Sequence, residues 1–455
     1  MSAEPATDGS VRVGFISLGC PKNLVDAQIM AGRLLDQGLV LAESPERSQV
    51  VVVNTCAFIE AAREESIDAI LEACALKTKG SVRAVVVAGC LSQRYQTELA
   101  ESLPEVDAFI GLDELDRLPA VVRSVAGGAR GLYTVSAQAA ALFEPSPGRI
   151  VVFSGGPHAY LKIAEGCNHA CAFCAIPAIR GRHRSRAQQD IVAEAAALLE
   201  AGYRELNLIS QDTMFYGRDR DDGASLVSLL RALDGIGGAY RIRILYGYPS
   251  AVTAELLEAM AGARHVCRYL DVPVQHVHPA MLRAMLRAET VDAVAALPAR
   301  ARRALPGVAL RTTCLVGFPG ETEEHFAHLE AYVREAAFDH LGVFVYSPEE
   351  GTPAAARPDR PPPEVAEERR RRLLLAQREN VARKAAALIG TPATALLESG
   401  DAGGAGGWLG RTGRQAPDVD GVTRIRGAPA EAGIGDFVPV VYTGGEEYDL
   451  LARCS

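Results

Sequence analysis

Short, unbroken apolar runs alternate with amphipathic stretches over the first 125 residues. VRVGFISLGC, VVVVNTC and AVVVAGC are such runs, and DAQIMAGRLLDQG and REESIDAILEACALK lie between them with helical spacing of apolar positions. Runs of this length suit strands buried on both faces, so the pattern predicts a parallel α/β sheet. Each run ends on a cysteine: Cys20, Cys56 and Cys90. In an open parallel sheet ligands gather at the carboxyl ends of the strands, and the three thiols are expected at one edge.

Residues 126–157 are rich in Gly, Ser and Pro and read as a linker, with one strand expected at RIVVF. From 158 to about 350 strands and helices alternate again. The expected strands are YLKIAE, ELNLIS, RIRILYGY, YLDVPVQ, ALRTTCLVG and LGVFVYS. Ile191, Ala195, Leu198 and Leu199 recur at helical spacing before Gly202, which suits a helix with a glycine cap. Six β/α units make most of a TIM-like barrel, whose chemistry sits at the carboxyl ends of its strands. PAAARPDRPPPE then breaks the pattern, and a long basic amphipathic helix follows, in which Arg369 to Arg372 read as a solvated face. Beyond a Gly-rich DAGGAGG loop, the short runs WLGRTGRQ, VTRIRG, DFVPVVYTG and YDLLAR predict a small β-barrel.

Composition narrows the class. With 455 residues, 48% of them hydrophobic, the chain can bury several cores. The opening MSAEPATDGS lacks a basic region followed by an apolar one, so no secretory signal is expected. No run approaches the roughly 20 apolar residues of a membrane span. A cytoplasmic protein without a membrane partner is the expectation. The net charge of −9 speaks against a large phosphate-binding surface and for a small or basic partner.

Ten cysteines are too few for a disulfide scaffold, and grouped cysteines in a reducing compartment more often bind metal. Cys167, Cys171 and Cys174 form C-x3-C-x2-C. That spacing brings three soft thiolates to one iron–sulfur cube and leaves one iron without a protein ligand. Structural zinc closes its coordination with a fourth Cys or His, and His169 and His183 keep a Cys3His zinc site in play. Cys74, Cys267, Cys314 and Cys454 read as small core hydrophobes. Cys20, Cys56 and Cys90 differ, because three successive strand ends each present a thiol, and a metal makes three adjacent thiolates tolerable.

The C-x3-C-x2-C loop, with Phe173 before its third cysteine, resembles the radical S-adenosylmethionine superfamily. A second cysteine set on an N-terminal α/β domain is the arrangement of the methylthiotransferases. SLGCPKNLVDA, NTCAFI, AGCLSQRY, CAIPAIRGRHRSR, QDTMFYG, YLDVPVQH, VGFPGETEE and YSPEEGTPAA are similar to that family, and GRTGRQAPDVDG with YDLLA resembles its terminal TRAM barrel. The resemblance implies an N-terminal methylthiotransferase domain over residues 11–126, a linker over 127–152, a radical core as a partial (β/α)6 barrel over 153–384 and an all-β TRAM barrel over 387–455. It also implies two 4Fe-4S clusters, one on each cysteine triad, and S-adenosylmethionine. By the same resemblance, one molecule of this cofactor would methylate a sulfur held at Cys20, Cys56 and Cys90, and a second would yield an adenosyl radical at Cys167, Cys171 and Cys174. Superfamily contacts to the cofactor map onto Phe173, Gln211, Asp212, Arg243, Gln275 and the backbone near Val316, and a structural polar role is equally open to the strand-end groups.

LGCPKN, QAPDVDG and EEGTPAA resemble the branch that methylthiolates an aspartate of small-subunit ribosomal protein S-twelve, rather than the branches that modify adenosines of transfer RNA. Ala27-Gln28 departs from the Ser-Glu usual there and touches no proposed ligand. From 391 to 455 five arginines face nine carboxylates, and an acidic barrel suits a basic protein better than a phosphate backbone. Further partners implied are an electron donor of the flavodoxin or ferredoxin kind and a sulfur donor. Arg180, Arg182, Arg184 and Arg186 face an acidic substrate group or anchor their loop; the sequence permits both. A transfer-RNA methylthiotransferase and a non-catalytic iron–sulfur electron carrier are the competing functions.

Overall fold

A computed structural model describes residues 10–142, 144, 155–287, 290–400 and 407–455. The chain forms two compact units: Met1–Ser154 with Glu165–His169 and Ala175–Arg186, and Gly155–Ala164 with Ala170–Cys174 and Ala187–Ser455.

The first unit holds strands β1 (Arg12–Ser17), β2 (Val40–Leu41), β3 (Val50–Thr55), β4 (Ala84–Gly89), β5 (Ala108–Ile110) and β6 (Leu132–Thr134). They form one sheet in the order β2-β1-β3-β4-β5-β6, parallel throughout. Helices α1 (Pro21–Asp36), α2 (Glu60–Thr78), α3 (Cys90–Ser102) and α4 (Leu118–Ala126) supply the crossovers. The all-apolar runs explain the architecture: every residue of β3 and β4 is buried, as strands covered on both faces require. The order reverses between β1 and β3, the topological switch point where such sheets bind ligands. The sheet also reaches further than the linker expectation allows. Leu132–Thr134, inside the expected linker, is a sixth strand paired with β5, whereas the expected strand at RIVVF lies outside the described residues.

Further along come β7 (His158–Lys162), β8 (Ala164–Glu165), the short helix α5 (Ile176–Arg180) and β9 (Arg184–Ser185). The second unit then alternates α6 (Gln188–Glu200), β10 (Glu205–Ile209), α7 (Leu226–Asp234), β11 (Arg241–Ile244), α8 (Ala254–Gly262), β12 (Tyr269–Asp271), α9 (Pro279–Ala284), α10 (Val291–Ala304), β13 (Ala309–Val316), α11 (Glu323–Ala336), β14 (His340–Val345) and α12 (Pro363–Leu388). The six core strands run parallel as β7-β10-β11 and β12-β13-β14, and a parallel bridge between Ile242 and Val266 links the two sets. This is the expected partial barrel. In α6, Ile191, Ala195 and Leu198 are buried and Leu199 is half-buried.

α12 is not solvated along its whole arginine run. Arg369 is buried and its Nη1 donates to the Glu321 carboxylate at 2.9 Å and to the Glu321 carbonyl at 3.0 Å. Arg370, Arg371 and Arg372 instead pair with carboxylates nearer the surface. The spacing of a helix brings one of four consecutive residues inward, and a run of like charges hides that position.

The closed terminal barrel comprises β15 (Pro392–Gly400), β16 (Trp408–Thr412), β17 (Thr423–Arg426), β18 (Phe437–Glu446) and β19 (Asp449–Cys454), in the order β15-β16-β17-β19-β18. β15 is additional to the four expected runs, and most of the Gly-rich loop lies outside the described residues. Arg411 of β16 reaches Glu205, the first residue of β10, at 2.9 Å; Tyr160 and Tyr269 donate to Asp418 and Asp420, each at 2.7 Å. The barrel therefore covers the amino ends of the core strands, and their carboxyl ends are left for chemistry.

Candidate metal centres

Cys20, Cys56 and Cys90 come from adjacent strands of the first unit. Cys20 follows β1 and is the N-cap of α1, Cys56 follows β3 directly, and Cys90 is the first residue of α3 after β4. Two of the thiols thus stand at helix N-termini, where the dipole favours an anion. Gly19 has φ +90°, and a Cβ there would lie 2.7 Å from Cys56 Cβ, so only glycine lets the first strand end approach the second. Buried amides and hydroxyls hold the rest. Asn23 Nδ2 donates to the carbonyls of Leu18 at 2.6 Å and Thr55 at 3.2 Å, and Asn54 Nδ2 returns a bond to the Asn23 carbonyl at 2.7 Å. Ser66 Oγ accepts from the Cys56 N–H at 3.0 Å and donates to its carbonyl at 2.8 Å. Thr55 Oγ1 donates to the Ala88 carbonyl at 2.7 Å and accepts from the Leu91 N–H at 3.3 Å, joining the ends of β3 and β4.

Burial pushes the Cys90 thiol up to about 12; Arg180 pulls it down, while Cys56 and Cys20 push it further up. Cys56 is raised as well, by burial first. Holding all three as thiolates in such a place would take a cation, which is the chemistry of a metal centre. Among the described residues no three Cys, His, Asp or Glu side chains converge on a single ion. An iron–sulfur cube distributes its thiolates over separate irons, so this donor set fits a cluster better than a lone zinc. For the other set, His183, one of the two histidines that a Cys3His zinc site on Cys167, Cys171 and Cys174 would draw on, has its Nε2 at 3.1 Å from Ser185 Oγ.

The second cysteine set lies on one loop. The Cys167 N–H donates to the Gly181 carbonyl at 3.1 Å, and the His169 N–H to Cys167 Sγ at 3.5 Å. Gly166 before it has φ +79°, and a Cβ there would overlap the Arg182 carbonyl. Ala172, between the other two cysteines, is bonded on both sides: its N–H to the Met285 carbonyl at 3.0 Å and its carbonyl to the Ala354 N–H at 2.9 Å. Arg287 Nη1 donates to Cys171 Sγ at 3.4 Å, its Nη2 donates to the Pro273 carbonyl at 3.1 Å, and its guanidinium lies 4.2 Å from the Tyr248 ring centroid.

Of the expected cofactor contacts, Gln211, Asp212, Gln275 and Val316 stand at the carboxyl ends of core strands. Gln211 and Asp212 follow β10, and Asp212 accepts from the Met214 N–H at 3.2 Å. Gln275 is a non-glycine residue with φ +65°, as is Tyr246 after β11 with φ +62°. Strain of this kind gathers at binding sites. Val316 ends β13, its carbonyl accepting from the Tyr346 N–H at 2.9 Å, and Glu321 fixes the next turn by accepting from the Gly317 N–H at 2.5 Å. Phe173 packs edge-on to Phe318 with centroids 6.5 Å apart. Arg243 departs from expectation. It is wholly buried, and its side chain is committed to Glu205 at 3.0 Å and the Gly413 carbonyl at 3.0 Å, beneath the terminal barrel. Burial alone would raise the Glu205 carboxyl, but Arg411, Arg243 and Arg241 hold it well below the carboxylate range.

Within CAIPAIRGRHRSR, Arg184 anchors its loop through the carbonyls of Ala141, Arg180 and Arg182. Arg182 is exposed, and Arg180 and Arg186 are buried. Sequence reasoning did not single out Asn23, Asn54, Thr55, Ser66, Tyr246, Arg287 or Glu321. Only Asn23 carried a signal, standing three residues after Cys20 and so on the same face of α1.

Comparison with known proteins decides the family. Residues 12–111 match the model of the uncharacterized protein family UPF0004, 161–333 the radical SAM superfamily and 389–454 the TRAM domain. The ribosomal protein uS12 methylthiotransferase RimO of Trichlorobacter lovleyi is 43% identical over 442 residues, covering 97% of this chain and 98% of its own. That of Symbiobacterium thermophilum is 44% identical over 447 residues, covering 98% and 91%. The chain belongs to the RimO family. Its fold is also that of the radical S-adenosylmethionine methyltransferase TsrM from Kitasatospora setae, at a TM-score of 0.57 and 15% identity over 76% of this chain and 74% of that one. In this RimO-family chain no helix among the described residues is long and apolar enough to cross a membrane. Ala27 and Gln28, the departure noted in the first motif, are buried on α1.

Proposed function

We propose that this protein methylthiolates the β-carbon of one aspartate in ribosomal protein uS12, in the cytoplasm, using S-adenosylmethionine and two iron–sulfur clusters. The observation that carries the reading is identity above 40% with RimO proteins over 97% of the chain, with both cysteine sets present. Cys167, Cys171 and Cys174 would hold one 4Fe-4S cluster, and Cys20, Cys56 and Cys90 the other. When bound, the clusters and S-adenosylmethionine supply one-electron chemistry, hydrogen abstraction from an unactivated carbon and delivery of a methylthio group to it. Acid–base catalysis, worth about 10² to 10⁴-fold, would not activate that bond.

The chain's own residues bind and orient. In the first unit Ser66, Asn23, Asn54 and Thr55 fix the backbone from which three thiolates project. In the second, Met285 and Ala354 clamp Ala172 and so orient Cys171 and Cys174, while Arg287 places a cation beside Cys171. Gln211, Asp212, Gln275 and the Val316 backbone would contact S-adenosylmethionine at the strand ends, and Phe173 would pack at its cluster. Electrons would come from a flavodoxin- or ferredoxin-like donor and sulfur from a separate donor. The charge of the terminal barrel supports a basic partner: of its five arginines, Arg411 is spent on Glu205 and Glu398, and Arg414 on Asp339.

Mass spectrometry of uS12 from cells with and without this gene tests the proposal. The expected result is a single methylthio addition on one aspartate that depends on the gene. An unchanged uS12 together with a gene-dependent methylthioadenosine in transfer RNA would overturn it.

A further inference from the structure

Arg180 belongs in sequence to the segment after the C-x3-C-x2-C loop, yet its side chain serves the other cysteine set. It closes α5, is 2% exposed, and has four partners. Nη1 donates to Asp26 Oδ2 at 3.0 Å and Glu165 Oε1 at 2.9 Å; Nη2 donates to Asn23 Oδ1 at 3.3 Å and Cys90 Sγ at 3.3 Å. Cys20, Asn23 and Asp26 recur every three residues along α1, so the helix that is capped by one thiol also supplies the arginine's holders. We propose that Arg180 is a positioning residue of the Cys20, Cys56 and Cys90 centre, and that its fixed charge raises the reduction potential of the cluster held there. The inference rests on the two-cluster reading above.

Packing alone does not account for such a residue. A buried ion pair can often be exchanged for apolar side chains of similar volume at no loss of stability, so an arginine with two carboxylates is a poor choice of filler. Its guanidinium keeps its proton at any physiological pH, and the charge is therefore present in both redox states of the centre. Reduction adds one negative charge. A cation bonded to Cys90 Sγ stabilises the reduced form, whereas Asp26 and Glu165 oppose it, and net charge and hydrogen bonds to sulfur are among the factors that set cluster potentials. The sign of each substitution follows.

The test uses the full chain carrying Cys167→Ala, Cys171→Ala and Cys174→Ala, so that a single centre reports. Its potential is read by anaerobic redox titration followed by electron paramagnetic resonance, beside iron content. Arg180→Gln is expected to lower the ratio of reduced to oxidised cluster at fixed potential about tenfold, a shift of ~59 mV to more negative values. Glu165→Gln is expected to shift the potential the opposite way, and Arg180→Lys to stay nearer the parent. A merely structural arginine would not reverse sign between Arg180→Gln and Glu165→Gln. Equal or same-direction shifts at unchanged iron content would overturn the proposal. If Arg180→Gln does not fold, Glu165→Gln and Arg180→Lys decide it by the same signs. Absence of any cluster in the parent triple variant would overturn the auxiliary-site reading itself, and this inference with it.

Discussion

The two cysteine sets solve one problem by different means. Cys20, Cys56 and Cys90 lie 36 and 34 residues apart and are gathered by three parallel strands, so the sheet does the positioning. Cys167, Cys171 and Cys174 lie within eight positions, and backbone bonds to residues far along the chain hold their loop. Each set has a buried arginine at a thiol: Arg180 at 3.3 Å from Cys90 and Arg287 at 3.4 Å from Cys171. Arg180 is met by two carboxylates, whereas Arg287 is held by a carbonyl and the face of Tyr248. The first set is thus built into a buried sheet core with the charge at its thiol partly offset, and the second sits on a loop beside an arginine to which those contacts bring no carboxylate.

The most severe break of this comparison removes one set at a time. Replacing Cys20, Cys56 and Cys90 by alanine should leave about half the iron, preserve cleavage of S-adenosylmethionine and abolish methylthiolation of uS12. Replacing Cys167, Cys171 and Cys174 should also leave about half the iron but abolish cleavage. Iron and sulfide analysis with product mass spectrometry reads both. Equal iron in parent and either variant would mean that the set in question holds no cluster.

How far each centre could be read from the chain follows from the same contrast. C-x3-C-x2-C is local, and spacing alone exposes it. The strand-end set was legible because the valine runs before Cys56 and Cys90 suit strands covered on both faces, and both strands are buried throughout. Arg287 was not legible: it meets Cys171 across 116 residues of sequence, and no local pattern encodes such a contact. Arg243 was not legible, because a polar residue in a strand does not show which way its side chain reaches; here it meets Glu205, the first residue of β10, and the Gly413 carbonyl. Short or half-buried strands were missed for want of pattern: Val40–Leu41, Ala108–Ile110, Leu132–Thr134, Arg184–Ser185 and Pro392–Gly400. Leu132–Thr134 is only three residues long, and Pro392–Gly400 buries only its middle.

A smaller perturbation strains the backbone of each set without touching a thiol. Gly19→Ala and Gly166→Ala each force an alanine to φ near +80 to +90°, which costs roughly 1–3 kcal/mol before any clash. Both should lower the thermal midpoint. Their iron losses should be separable: Gly19→Ala empties the sheet-built centre and Gly166→Ala the loop-built one, as distinct losses in the cluster spectra. Ser66→Ala should act in the same direction with less effect. It removes both bonds to the Cys56 backbone and leaves a buried N–H unmet, a loss of about 1–2 kcal/mol. Ser66→Thr, which keeps the hydroxyl, should recover part of the stability if the bond rather than the volume matters.

The gentlest change sharpens the electrostatic half of the comparison. Arg287→Gln keeps a donor of similar reach and deletes the charge beside Cys171. Among the described residues its hydrogen-bond partners Cys171 and Pro273 bring no carboxylate, so removing the charge is expected to destabilise the reduced form of a cluster held there. The expected result is a more negative potential and about tenfold slower reductive cleavage of S-adenosylmethionine, equivalent to about 1.4 kcal/mol. Iron content should hold, because the three thiolates and the backbone bonds of Ala172 are untouched. Measured in the Cys20, Cys56 and Cys90 alanine background, the shift must come from the loop-built centre alone. A rate loss with an unmoved potential would instead assign Arg287 to holding the Pro273 turn, and the resemblance between the two arginines would end at their burial.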